Sequence, residues 1–337
     1  MSLALLIEWA IKSVVIILII LGGFAYLTLL ERRTLARIQV RIGPNRAGPW
    51  GLLQPIADAI KLIFKEELTP RDADKVLFFL APIITVIPAL IILAVIPLGG
   101  EATLFGNTYR LDLASNVNVG VLYILAIASI AVYGIVIAGW SSGNKYALMG
   151  GIRSSAQMIS YELALGLSIV GPILLAQSMS VDQIIDGQRG LWYVVLQPVG
   201  FLIFMLASIA EVNRAPFDMP EAEQELTAGY HTEYSGMKFA LFFMAEYGKM
   251  IAVSFIAATL FLGGYLGPYV ERFWWLGPIY LFIKVLFVLL IIIWLRATLP
   301  RFRYDRLMEF GWKILLPLAL LNVLVTGAIY VLVGGAV

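Results

Sequence analysis

The sequence predicts an all-α, polytopic integral membrane protein of about eight transmembrane helices, with an interfacial amphipathic helix in the first inside loop. Three observations carry that expectation. Of 337 residues, 61% are hydrophobic and only 14% charged, against roughly 45–50% and about 25% in soluble domains. Eight apolar stretches approach or exceed the roughly 20 helical residues that cross a hydrocarbon core: about 5–30, 76–98, 119–140, 156–179, 191–210, 237–266, 274–295 and 312–333. Basic residues, finally, crowd into alternate connections between these stretches.

Only helices can satisfy the backbone of such segments in lipid. Prolines interrupt several of them (Pro82, Pro88, Pro97, Pro172, Pro198, Pro278, Pro317), and kinks are expected where they do. The first stretch lacks a basic leader and a small-residue cleavage site and is too long for a signal-peptide core, so it reads as a retained span. The first, third, fifth and seventh connections carry nine, two, two and five Lys and Arg, whereas the second, fourth and sixth carry one each. The odd connections therefore face the cytoplasm or its mitochondrial equivalent, and both termini lie on the opposite side. No short repeat or soluble insertion breaks the pattern, so residues 1–337 are read as one membrane domain.

Composition also excludes chemistry. With no cysteine and one histidine, His231, the chain cannot by itself supply thiolate ligands for iron–sulfur clusters, Cys/His zinc sites or bis-His haem. A redox centre must belong to a partner. A formal net charge of +2 gives no sign of nucleic acid.

The inside loop 31–75 holds the first candidate site. Residues 51–66 place Leu52, Leu53, Ile56, Ile60, Ile63 and Phe64 at helical spacing, with Gln54, Asp58, Lys61 and Lys65 on the other face. The segment is too short to span and should lie in the interface; whether it merely docks there is open from periodicity alone. Before it come Arg32, Arg33, Arg37, Arg41 and Arg46 and a turn at Gly43-Pro44-Asn45. Glu31 sits beside this cluster, as an ion-pair partner or a titrating group.

Carboxylates in apolar surroundings form the second site. Glu162, Glu211 and Glu246 lie within or at the inner end of the fourth, fifth and sixth stretches, where a charge costs roughly 2.5–3.5 kcal/mol on translocon scales. Such groups are candidates for proton relay; the structural alternative is a packing pair, for which Glu246 and Lys249 have the spacing. Lys284 in the seventh stretch poses the same question, and Glu8 with Lys12 reads as a local pair. Between 211 and 237 the pattern inverts: Glu211, Asp218, Glu221, Glu223, Glu225 and Glu233 face one base, Arg214. Interleaved Phe217, Met219, Leu226 and Tyr230 suggest that this acidic loop is packed against something rather than freely solvated. His231 is either a titrating group near neutral pH or a structural hydrogen-bonding residue.

These residues resemble the H-type membrane subunit (subunit 1 in mitochondria) of proton-translocating NADH:quinone oxidoreductase, respiratory complex I. The resemblance rests on two long patterns: Gly51, Gln54, Asp58, Lys61, Lys65 and Glu66, and P-F-D-M-P-E-A-E-Q-E-L-T-A-G over 216–229. Shorter matches are E-R-R (31–33), R-I-G-P-N-R (41–46), G-W-S-S (139–142), S-Y-E (160–162), G-Y-H-T-E-Y-S (229–235), A-E-Y (245–247) and R-F-R-Y-D (301–305). Together they cover essentially the whole chain.

The resemblance implies a subunit without a catalytic centre of its own that walls the quinone chamber and its entrance, docks the peripheral arm and couples quinone reduction to proton translocation. It assigns Arg32, Arg33, Arg41, Arg46, Gln54, Asp58, Lys61 and Lys65 to the chamber or its entrance. Glu31, Glu162, Glu211, Asp218, Glu221, Glu223, Glu225, Glu233 and Glu246 become coupling residues. Some members carry a further glutamate in the third stretch where this chain has Ser129 and Ile130, which leaves the next relay position open. The implied substrate is a quinone, ubiquinone or menaquinone, with FMN and iron–sulfur clusters in partner subunits. Implied partners are the peripheral quinone-site subunits, small and antiporter-like membrane subunits, and lipid. The expected location is the bacterial plasma membrane, or alternatively the mitochondrial inner membrane. An autonomous transporter using the same carboxylates would be expected to show duplicated halves, which the sequence lacks; membrane-bound hydrogenase relatives share the scaffold but not the full-length quinone-linked pattern.

Overall fold

The computed structural model describes residues 3–104, 107–110, 112–114, 117–218 and 229–332. Among these, seven helices are long and apolar enough to cross a membrane. In chain order the helices are α1 (Leu3–Ile38), α2 (Gln54–Ile63), α3 (Lys75–Ile91), α4 (Gly120–Ser141), α5 (Lys145–Ala176), α6 (Val181–Asp186) and α7 (Tyr193–Leu196). They continue with α8 (Pro198–Glu211), α9 (Gly236–Phe261), α10 (Leu276–Thr298), α11 (Tyr304–Glu309) and α12 (Leu316–Leu332). A π-helical turn, Phe310–Leu315, fuses the last two into one span. A small antiparallel hairpin, β1 (Glu101–Leu104) and β2 (Asn107–Arg110), lies in the second connection and adds little to an otherwise helical architecture.

Helix ends follow local chemistry. Asp74 caps α3 by accepting from the backbone N–H groups of Val76 and Leu77 at 3.1 and 3.3 Å, and Asn144 caps α5 by accepting from Tyr146 N at 2.9 Å. Each satisfies donors that a helix start otherwise leaves orphaned. At 36 and 32 residues, α1 and α5 are about 54 and 48 Å long, well beyond a core of about 30 Å. Arg32, Arg33, Arg37, Lys145 and Arg153 thus stand on helical extensions rather than in loops.

The fifth expected stretch departs from its prediction. The helix breaks at buried Gln197 (φ −128°, ψ 53°), and Pro198 opens a new one of only 14 residues, about 21 Å long. Proline fits the first helical position because its missing N–H would have been unpaired there anyway. The break is held by α12: Gln197 donates to Thr326 Oγ1 at 2.6 Å and accepts from Asn322 at 3.0 Å.

Small residues let the spans approach closely. A Cβ built on Gly134 would meet Thr85 Oγ1 of α3 at 2.2 Å, and one on Gly139 would meet the Ala147 carbonyl oxygen of α5 at 2.7 Å. Backbone contact of this kind supplies the dispersion that holds membrane helices together. The centre of the bundle is α9, buried without interruption from Tyr247 to Phe261 and packed against α1, α3, α8 and α10.

The first, third, fifth and seventh connections meet at one end of the bundle. Asp74 N donates to Ser141 O at 3.1 Å, and Phe302 N to Pro216 O at 3.1 Å; Asn144 donates to Glu233 at 2.7 Å, and Lys238 lies 3.5 Å from Glu67. At the opposite end Arg189 bridges Asp186 and Glu271, each at 2.9 Å. There Lys284 has a structural task, donating to the carbonyls of Gly264 and Leu266 at 2.8 Å each, just past the last turn of α9.

Candidate functional site

The site begins where α1 leaves the bundle beside α2. Asp58 is its hub: Arg32 Nη1 lies 2.7 Å from Oδ2, Gln54 donates to Oδ1 at 3.2 Å, and Lys61 Nζ stands 3.7 Å away. Helical spacing of four and three residues brings Gln54 and Lys61 to Asp58, and only the docking of α2 on α1 brings Arg32. The ordered helix is shorter than the expected 51–66 at both ends: Gly51, at φ 71°, turns the chain against Pro44 before it, and it stops at Ile63. Its apolar residues Ile56, Ile60 and Ile63 stay half exposed. Among the described residues Arg33, Arg41, Arg46 and Lys65 form no ion pair, and all but the half-buried Arg33 are exposed.

From this corner a line of charges runs into the bundle. Glu31 is buried and pairs with Arg296 from α10. Arg214, just beyond α8 and also buried, stands 3.8 Å from Glu31 and 2.9 Å from Glu246, with its guanidinium 4.2 Å from the Tyr247 ring centre. The ion pair of Glu246 thus runs between elements, which spacing along α9 does not suggest. One turn deeper, buried Lys249 interacts electrostatically with Glu211, Glu246 and Glu162. Glu162 in turn accepts from the Ser129 hydroxyl of α4.

Two small cavities follow this line. One, of about 20 Å³, is bounded by Thr85, Asn213, His231, Glu246 and Lys249; the other, of about 30 Å³, by Leu125, Ala128, Glu211 and Lys249. Each exceeds the roughly 10–15 Å³ that a single water requires, and Lys249 borders both. Burial pushes the His231 imidazole down to about 4, so at neutral pH it faces the first cavity uncharged, held edge-on by Tyr230 at 5.0 Å between ring centres.

The acidic segment is anchored on both sides. Asp218 pairs with Arg301 at 2.8 Å, and Glu233 accepts from the Asn144 cap. Glu221, Glu223 and Glu225 lie outside the described residues. The arrangement therefore joins Glu31, Glu246, Glu211 and Glu162 into one polar line and gathers Gln54, Asp58, Lys61 and Arg32 at its mouth. Sequence reasoning gives Lys249 only as a packing partner of Glu246 and Arg214 only as the one base of the acidic segment, and it misses Arg296 and Arg301 as members. Arg296 enters it only as a charge that sets topology, although a cation close to an apolar stretch invites a search for its carboxylate.

Such an array can hold and pass protons between buried carboxylates, hydroxyls and cavity waters, and among the described residues it offers no nucleophile-base pair for covalent chemistry. The family model described as NADH dehydrogenase matches residues 11–327. The NADH-quinone oxidoreductase H subunit of Thermomicrobium roseum is 52% identical over 325 residues, covering 94% of both chains. One of two NADH-quinone oxidoreductase H subunits of Geobacter metallireducens is 52% identical over 321 residues, 95% of this chain and 96% of its own. The corresponding chain of Deinococcus deserti is 52% identical over 327 residues, 95% and 83% respectively. With a family match over residues 11–327 and relatives this similar over nearly their whole length, the chain belongs to the NADH dehydrogenase family.

Proposed function

We propose that this chain is a membrane subunit of an NADH:quinone oxidoreductase that walls the quinone chamber and its entrance, docks the peripheral arm and couples quinone reduction to proton translocation. The observation that carries the proposal is the continuous line of charge from Asp58 and Arg32 through Glu31, Arg214 and Glu246 to Lys249, Glu211 and Glu162, with water-sized cavities beside it. Quinone is the substrate, while FMN and iron–sulfur clusters belong to partner subunits, in keeping with a chain that has no cysteine. The basic end faces the cytoplasm of a bacterium, both termini face outward, and residues 1–337 form one membrane domain.

Two-electron reduction of a quinone consumes two protons, so charge must be rebalanced near the chamber. Arg32, Arg33, Arg41 and Arg46 together with Gln54, Asp58, Lys61 and Lys65 form the polar lining of its mouth. Asp218, Glu221, Glu223, Glu225 and Glu233 sense the change of charge, and Glu31, Glu246, Glu211 and Glu162 carry it inward. Arg214 sits between Glu31 and Glu246, so neutralising either carboxylate shifts its interaction to the other: an electrostatic link at about 3–4 Å needs no large movement.

The test is purification of the tagged chain from native membranes in mild detergent. A large complex with flavin and iron–sulfur spectra and inhibitor-sensitive NADH:quinone activity is expected. A colourless, stable, solitary protein would overturn the reading. In the same complex, replacing Glu221, Glu223 and Glu225 together with Gln should lower quinone reduction without loss of assembly; unchanged reduction and pumping would remove these residues from the coupling path.

A further inference from the structure

On the face formed by α8, α10 and the fused α11–α12 span lies a groove that shares no lining residue with the charged line. It has a volume of about 540 Å³ and an apolar lining that includes Leu206, Leu295, Leu299, Phe302, Leu307 and Ile314. That volume falls within the roughly 300–1,000 Å³ of ligand clefts. Leu299, Phe302 and Ile314 are 42, 46 and 56% exposed, so the groove opens sideways from the bundle, towards the membrane rather than the core. Leu206 and Ile209 of α8 supply one wall.

The polar rim decides what kind of occupant fits. Arg306, Glu309 and Lys313 line the groove along one helical face. Lys313 is 2.8 Å from Glu309, Arg303 is 3.0 Å from Asp305, and Arg301 is taken by Asp218. Arg306 alone of this basic group has no ion pair among the described residues, and the rim carries one net positive charge. An apolar cleft of acyl-chain dimensions closed by an exposed guanidinium at the interfacial level calls for an amphiphile with an anionic head. Guanidinium suits phosphate, which it can engage through two parallel N–H groups.

We propose that this groove binds an anionic phospholipid, with an acyl chain between α10 and the α11–α12 span and the phosphate on Arg306, supported by Lys313. Pro216 and Phe217 form part of its floor, one residue before Asp218, so the lipid packs against the stem of the acidic segment.

The experiment uses the assembled complex, stripped of lipid in detergent. Phosphatidylglycerol carrying a photoreactive group in its acyl chain is the probe, and crosslinked peptides are read by mass spectrometry. Crosslinks to peptides bearing Leu299, Phe302 or Ile314 are expected, competed by unlabelled phosphatidylglycerol better than by phosphatidylcholine. Arg306→Gln should weaken that competition about fivefold, from the roughly 1 kcal/mol that one basic residue contributes near an anionic lipid surface, and Arg306→Lys should retain most of it. Leu299→Trp, which fills the cleft, should abolish labelling for either headgroup. Equal competition by the zwitterionic lipid, indifference to Arg306→Gln, stronger competition by a quinone analogue, or a groove covered by another protein subunit and giving no lipid crosslinks would each overturn the proposal.

Discussion

Arg214→Met tests the charged line at its most connected member. The guanidinium is buried, with a side chain only 3% exposed, and stands 2.9 Å from Glu246 and 3.8 Å from Glu31. Glu31 keeps Arg296 when Arg214 is removed, so the loss falls mainly on Glu246, whose side chain is 15% exposed. Breaking one side of a buried pair costs about 3–5 kcal/mol, and the contact with the Tyr247 ring adds roughly 0.5–2 kcal/mol. Taken at the lower bound, and expressed in the barrier to dissociation, thermal loss of the complex should accelerate roughly 100-fold. The double variant Arg214→Met/Glu246→Gln removes both charges and should recover about 2 kcal/mol or more of that loss, because the carboxylate that lost its guanidinium is then neutral. The assay is the first-order rate at which the intact complex disappears on heating, followed on native gels for wild type, both single variants and the double. Losses that add to within about 0.5 kcal/mol would mean that the two residues do not interact, and the line would be broken at its centre.

Three further outcomes follow from the same geometry. Asp58→Asn weakens a partly exposed cluster, so stability should change by no more than about 1 kcal/mol, while the apparent KM for quinone should rise; an unchanged KM across quinones of several tail lengths would remove α2 from the substrate path. Ser129→Ala deletes the hydroxyl that serves Glu162, a hydrogen bond worth about 1.5–3 kcal/mol when its acceptor is charged. It should slow proton translocation in proteoliposomes more than electron transfer in detergent, and equal effects on both would count against a relay through Glu162. As for pH, His231 is held at about 4, against 6.5 for the free side chain, so the unfolded chain takes up its proton first as pH falls. Stability associated with this residue is complete above about 6.5 and declines towards 4, by about 2 kcal/mol at pH 5. His231→Asn should flatten that part of the pH–stability profile, and a variant that loses stability as steeply as wild type would refute the assignment.

Much of the molecule is legible without coordinates because it depends on quantities that run along the chain. Length and hydropathy place the spans, since a helix in lipid must satisfy its own backbone, and seven of them are long enough to cross in the structure. The alternation of charge anticipates that the odd connections gather at one end. Glu162, Glu211 and Glu246 stand out because a carboxylate in an apolar stretch needs a reason, and the long acidic pattern around Asp218 carries the family resemblance.

Contacts between helices have no such signature. Arg296 lies 265 residues from Glu31, and nothing local indicates that α10 turns its guanidinium towards α1. Hydropathy cannot separate a full span from the broken α7–α8 segment either, because the break depends on Gln197 finding Thr326 and Asn322 on α12. The sequence alone determined that acids and bases would stand within apolar stretches and that a short amphipathic segment would follow the first of them. Tertiary structure alone decided that Arg214 bridges Glu31 and Glu246, that Lys249 stands among three carboxylates and that Ser129 meets Glu162. The physical reason is that the cost of burying a charge is local to its residue, whereas the partner that offsets it is set by the rotation and adjacency of packed helices.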